Sequence, residues 1–149
     1  MSIIRVTREF SFEMAHVLKG YDGPCRNVHG HSYRLFVTVR GEPLNDSRSS
    51  KNGMVMDFTD LKEIVLKTII ERFDHSVVMS SDFAEEKKKM MEDAFGNAVI
   101  VGYQPTCENL VADFARMLKN SLPAGVRLHS LRLCETAKSY AEWFAGDNE

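Results

Sequence analysis

An α+β fold is predicted for this 149-residue chain by three features of its patterning. Two long stretches near the N-terminus alternate apolar and polar residues. Two later stretches carry apolar residues at helical spacing, and two more alternating stretches follow them. Strand, strand, helix, short helix, helix, strand, strand is the order expected of a four-stranded antiparallel sheet with two long helices on one face.

The first strand covers residues 3–16. Ile4, Val6, Phe10, Phe12 and Met14 share one parity, and Arg5, Thr7, Glu9, Ser11 and Glu13 share the other, the mark of a half-buried strand. His16 ends it on the apolar parity. Residues 17–28 hold Gly20, Asp22, Gly23, Pro24 and Asn27, which are turn formers. The second strand, 29–41, alternates Tyr33, Leu35, Val37 and Val39 with Ser32, Arg34, Thr38 and Arg40, and His29 and His31 lie on its apolar parity. An antiparallel hairpin sets the end of one strand beside the start of the next. His16 is thereby expected close to His29 and His31, all on one face.

Residues 42–53 read as a polar, mobile loop. Asp57 then caps a helix running to 73, with Leu61, Ile64, Val65, Ile69 and Phe73 on its buried side. A polar helix over 82–95 carries the run Glu85-Glu86-Lys87-Lys88-Lys89, which reads as a solvated face, and 97–101 has the character of a short strand. Thr106 caps the second long helix, whose stripe is Leu110, Phe114, Met117 and Leu118, and Pro123 and Gly125 end it. Strands over 126–136 and 139–145 flank Ala137-Lys138. Apolar parity switches between Leu128 and Leu131, which predicts a bulge near His129-Ser130. Four strands leave open edges, and pairing with neighbouring subunits would protect them, so a homo-oligomer is expected.

Length suits a single domain over 1–149. A net charge of −2 and a pI near 6.2 give no basic surface for nucleic acid or anionic membrane. No apolar run reaches the ~20 residues that span a bilayer, and Met1–Arg5 lacks the basic-then-apolar pattern of a signal peptide. Three cysteines, Cys25, Cys107 and Cys134, form no disulfide framework, which points to free thiols in a reducing, cytoplasmic setting.

The chemistry concentrates at Cys25-Arg26-Asn27-Val28-His29-Gly30-His31. Residues i and i+2 of a strand project to one side, so one ion can take both imidazoles, and His16 supplies a third. Three protein ligands with an open position are the pattern of catalytic zinc. Copper or iron is less suited, with no thioether or carboxylate evident nearby in sequence. Cys25 has three readings on spacing: a fourth ligand closing a structural site in a non-catalytic binding module, an inert thiol, or a catalytic thiolate. Spacing alone favours the fourth ligand. Cys107 and Cys134 read as packing residues. Asp74-His75 at a helix end is either a dipole-stabilised histidine or a carboxylate–imidazole pair. Glu135, in a strand, either faces water or meets a ligand with two donors, because burying a lone carboxylate is costly.

Taken together, Phe12-Glu13-x-Ala15-His16, Cys25-x-x-x-His29-Gly30-His31-Ser32-Tyr33, Gly53-Met54-Val55-x-Asp57-Phe58-x-x-Leu61-Lys62, Asp74-His75, Pro105-Thr106-x-Glu108-Asn109 and Glu135-Thr136 resemble the 6-pyruvoyltetrahydropterin synthase family. That family includes the bacterial 6-carboxytetrahydropterin synthases of queuosine (7-deazaguanine) biosynthesis. The resemblance runs through nearly the whole sequence in matching order. It implies the tunnelling fold (T-fold), an oligomeric β-barrel of trimers, commonly stacked into a hexamer, and active sites between subunits. It implies Zn2+ on His16, His29 and His31, Cys25 as the catalytic thiol, His75 with Asp74 as its partner, Glu135 as the pterin anchor, and Thr106 near the pterin. The substrate implied is a pterin triphosphate, 7,8-dihydroneopterin triphosphate, with Lys19, Arg26 or Lys138 as candidate triphosphate cations. Glu135-Thr136-x-x-Ser139-Tyr140-Ala141-Glu142-Trp143 is similar to the carboxy-forming enzymes. The pyruvoyl-forming activity is the alternative. The stretch between His75 and Pro105 is longer than in compact members.

Overall fold

The computed structural model describes residues 2–149. Its centre is the hairpin of β1 (Ile4–His16) and β2 (His29–Gly41), paired antiparallel from Ile4↔Gly41 to His16↔His29. β5 (Arg127–Cys134) adds antiparallel to β2, and β6 (Tyr140–Phe144) adds antiparallel to β5. In the β2–β5 register Thr38 faces Ser130 while Val39 faces Leu128. His129 is therefore the extra residue of the expected bulge.

The other edge of β1 departs from the four-stranded antiparallel expectation. β3 (Ser76–Ser80) runs parallel to β1 through Met14–His16, and β4 (Ala98–Val101) runs parallel to β3. The sheet is mixed and six-stranded, in the order β4-β3-β1-β2-β5-β6. β3 is covered on both faces, with Ser76, Val78, Met79 and Ser80 all buried, so its sequence shows no alternation to read. Parallel neighbours need a crossover, and α3 (Glu85–Phe95) supplies it. The long segment between His75 and Pro105 is this β3–α3–β4 unit. No residue of α3 is buried, as its charge run predicts.

α1 (Phe58–Val65) begins at Asp57, whose side chain accepts from Thr59 N–H. It continues through a π-helical segment, Leu66–Ile70, into the single turn α2 (Glu71–Phe73). The wider turn lets the adjacent Ile69 and Ile70 both enter the core. α4 (Cys107–Lys119) is capped by Thr106, which accepts from Asn109 N–H. Phe114 of α4 meets Phe73 edge-on, with ring centroids 5.0 Å apart, and Phe12 at 6.3 Å. These helices cover the sheet face of Phe10, Phe12, Met14, Tyr33, Leu35 and Val37. Residues 42–53, expected to be a mobile loop, are instead closed by Leu44 N–H to the Met54 carbonyl and Gly53 N–H to the Leu44 carbonyl. No described helix is long and apolar enough to cross a membrane.

Candidate metal centre and active site

β1 ends where β2 begins, so His16 lies directly opposite His29, and His31 follows two residues along on the same face. Ring centroids are 4.6 Å apart for His16–His29, 4.9 Å for His29–His31 and 5.3 Å for His16–His31. One ligand nitrogen from each of the three lies within 4.8 Å of the other two.

Tautomers follow from the outer hydrogen bonds. His16 Nδ1 donates to the Pro105 carbonyl at 2.7 Å, and His29 Nδ1 donates to the Asn27 carbonyl at 2.8 Å. A neutral imidazole has one N–H, so both Nε2 atoms carry lone pairs, yet they face each other at 3.0 Å. His31 Nε2 is buried without any partner. The two lone pairs and the unpartnered His31 Nε2 converge with no hydrogen-bond donor among them. A cation resolves this, and backbone carbonyls behind metal-binding histidines are the usual outer support. Tetrahedral zinc with bonds of 2.0–2.1 Å would set its nitrogens about 3.3–3.4 Å apart; those of His16 and His29 stand 3.0 Å apart, and all three lie within 4.8 Å of one another. The residues fit a resident metal ion.

Burial, first among the causes, lowers the pKa of both His16 and His31, opposed in part by the Glu135 carboxylate. Both rings are thus kept in the neutral form that binds metal. The unfolded protein takes up these protons at about pH 6.5, the ordinary histidine value, before the folded protein does. Stability of the metal-stripped protein is therefore full above pH 6.5 and is lost as pH falls through the lowered folded-state values. Thermal unfolding of the stripped protein at pH 7.5 and pH 5 is expected to show the lower midpoint at pH 5.

Cys25 lies in the 3-10 turn Pro24–Arg26. Leu18 N–H donates to the Cys25 carbonyl at 3.1 Å, which pins this turn to the segment leaving β1. Gln104 holds the same segment from the other side, accepting from Lys19 N–H at 3.0 Å and donating to the Lys19 carbonyl at 2.8 Å. A cavity of about 290 Å³ results, and its walls include His16, Cys25, Thr106, Cys107, Glu135 and Tyr140. Cys107 is also a thiol, but burial raises its pKa to about 11, and its Sγ–H donates to the Leu133 carbonyl. Of the two thiols on the cavity wall, Cys107 is thus the one already engaged by the fold.

Glu135 follows the end of β5. Its N–H and that of Thr136 both donate to the Ser139 carbonyl, which fixes the β5–β6 turn. Its Oε1 lies 3.4 Å from His16 Nε2 and 3.7 Å from His31 Nε2. A carboxylate therefore does stand beside the histidines, contrary to the expectation from sequence, because β5 pairs with β2.

Asp74 and His75 are elsewhere. Asp74 Oδ1 accepts from Glu13 N–H at 3.0 Å and lies 2.9 Å from His75 Nδ1. His75 N–H donates to the Glu13 carbonyl, and its backbone takes φ 58°, a left-handed conformation unfavourable for any residue with a Cβ. The ring is 78% exposed. It borders a second hollow with Glu13, Gly30, His31 and Ser32. Asp74 and His75 stand side by side, but neither is among the residues that line the Cys25 cavity. Sequence patterning marks Tyr33 as a packing residue alone. It continues the His29–His31 parity to the floor of the site, and that spacing is its only signal.

The whole protein superposes on the structure of Caenorhabditis elegans 6-pyruvoyl tetrahydropterin synthase with a TM-score of 0.68 and 26% identity, over 97% of each of the two. The Plasmodium falciparum 6-pyruvoyl tetrahydropterin synthase structure shares the fold at a TM-score of 0.73 and 22% identity, over 96% of this protein and 98% of that one. The architecture is thus the T-fold of pterin-forming lyases. A family profile described as 6-pyruvoyl tetrahydropterin synthase matches residues 5–145. Among curated relatives, the 6-carboxy-5,6,7,8-tetrahydropterin synthase of Haemophilus influenzae is 35% identical, over 95% of this protein and 99% of its own length. The protein of the same name from Synechocystis is 33% identical, over 94% and 92% respectively. The chain belongs to the 6-pyruvoyl tetrahydropterin synthase family.

Proposed function

We propose that this protein is a zinc-dependent 6-carboxy-5,6,7,8-tetrahydropterin synthase. It converts 7,8-dihydroneopterin triphosphate, with water, to 6-carboxytetrahydropterin, acetaldehyde and triphosphate in cytoplasmic queuosine biosynthesis. One observation supports this most: ring nitrogens of His16, His29 and His31 converge, and His16 is also part of the wall of a cavity that holds Cys25, Thr106 and Glu135. The names of the Haemophilus influenzae and Synechocystis relatives favour the carboxy product over the pyruvoyl one.

Glu135 accepts hydrogen bonds from the ring's amino group and a ring N–H, which orients the pterin. Thr106 lies beside it. His16, His29 and His31 hold the ion, which when bound supplies Lewis-acid polarisation of the oxygens on the pterin's tail and so acidifies the neighbouring C–H. Cys25 as thiolate takes that proton. His75 relays protons at the other carbons of the tail through Nε2, its Nδ1 being held by Asp74. Triphosphate departs by elimination, and cleavage of a C–C bond within the tail releases acetaldehyde.

His75 reaches this chemistry from a neighbouring subunit, in a hexamer built as a dimer of trimers. Its exposure, and its separation from the Cys25 cavity within one subunit, support that arrangement. Incubating the zinc-loaded protein with 7,8-dihydroneopterin triphosphate is expected to yield acetaldehyde equimolar with 6-carboxytetrahydropterin. Accumulation of 6-pyruvoyltetrahydropterin without acetaldehyde would overturn the carboxy assignment.

A further inference from the structure

Tyr33 is fully buried, with 0% of its surface exposed. Its ring stacks on Phe12 with centroids 5.3 Å apart, and stands edge-on to His31 at 5.6 Å and His16 at 6.2 Å. Among the described residues, two buried side-chain polar atoms have no hydrogen-bond partner: His31 Nε2 and Tyr33 Oη. The resident metal accounts for the first. Nothing yet accounts for the second, and an unpartnered buried hydroxyl is costly. A phenylalanine would fill the same slot without that cost.

Glu135 is a nearby acceptor: its Oε1 stands 3.4 Å and 3.7 Å from Nε2 of His16 and His31, the two rings that the phenol meets edge-on. A phenol keeps its proton at neutral pH, so the oxygen is available as a donor. Glu135 Oε1 leans toward His16 Nε2 at 3.4 Å, but that nitrogen has no proton to give, because His16 Nδ1 carries it. The carboxylate is partly exposed and able to take a further donor, and the buried Tyr33 hydroxyl lacks an acceptor.

We propose that Tyr33 is a positioning residue. In the substrate-bound enzyme its hydroxyl donates to one Glu135 oxygen, holds the carboxylate off the metal, and leaves the remaining lone pairs facing the pterin. This rests on Glu135 being the pterin anchor, so the test keeps the two claims separate. Binding of 6-hydroxymethylpterin, which cannot turn over, is measured on zinc-loaded wild type, Tyr33→Phe, Glu135→Gln and the double variant, alongside zinc content and thermal midpoint.

Tyr33→Phe should keep its zinc and melt within a few degrees of wild type. Its pterin binding should weaken about ten- to hundredfold, the worth of a hydrogen bond to a charged group. With the true substrate, KM should rise more than kcat falls. The double variant should bind no more weakly than Glu135→Gln, because the two groups act as a unit. Wild-type binding by Tyr33→Phe, additive losses in the double variant, or loss of zinc or fold in Tyr33→Phe would each overturn the positioning role. Undiminished binding by Glu135→Gln would instead overturn the anchor on which it rests.

Discussion

Replacing Cys25 by Ala should leave the ion in place and slow turnover by ~10²–10⁴-fold, the usual contribution of a positioned proton-transfer group. Cys25 sits in a turn pinned by Leu18, whose neighbour Lys19 is held by Gln104, and not on the strands that present the histidines. Its removal therefore leaves the imidazoles and their carbonyl supports as they were. Loss of zinc together with activity would identify the thiol as a fourth ligand and the site as a structural one.

The same variant tests where His75 acts. His75→Ala should also be inactive alone, because the Asp74–His75 pair is the proton relay of the proposed reaction. Each variant keeps the residue that the other lacks. In mixed oligomers formed by dissociating and reassociating the two in equal amounts, about a quarter of sites formed between neighbours would combine an intact Cys25 with an intact His75. Activity should return to about that fraction of wild type. If both residues served one site within one subunit, every site in the mixture would remain defective and no activity would return.

Removing a metal ligand should have the second large effect. His31→Ala is the cleaner choice, because the His31 side chain is 19% exposed whereas His16 is 1% exposed and its truncation also opens a cavity in the core. The His31 variant should fail to retain stoichiometric zinc through dialysis and should lose turnover to background. Its thermal midpoint should match that of the metal-stripped wild type and should not respond to added zinc. Wild type should gain stability as zinc is added in excess of its dissociation constant, because the ion binds only the folded hairpin.

Much of this site is legible in the sequence because it depends on one short-range rule. Parity along β1 and β2, joined by a hairpin, places His16, His29 and His31 together with no knowledge of the rest of the fold. The bulge at His129 is legible for the same reason. What escapes depends on pairing that no local pattern reports. β3 is buried on both faces, so Ser76–Ser80 shows no period of two. Its parallel pairing with β4 goes with the α3 crossover, which the sequence presents as a charged surface helix, and its pairing with β1 joins segments some sixty residues apart. The approach of Glu135 to the histidines is set by the β2–β5 register. The Pro105 and Asn27 carbonyls, which fix the imidazole tautomers, are backbone atoms that carry no residue signature. The orphaned hydroxyl of Tyr33 is hidden because its position in the alternation matches that of an ordinary core aromatic.

X-ray absorption at the zinc edge of the metal-loaded, substrate-bound protein tests the central claim most directly. Three imidazole nitrogens and oxygen ligands, all near 2.0–2.1 Å and without sulfur, are expected if the histidines alone anchor the ion and leave room for substrate. A sulfur scatterer at about 2.3 Å would place Cys25 on the metal and contradict the account.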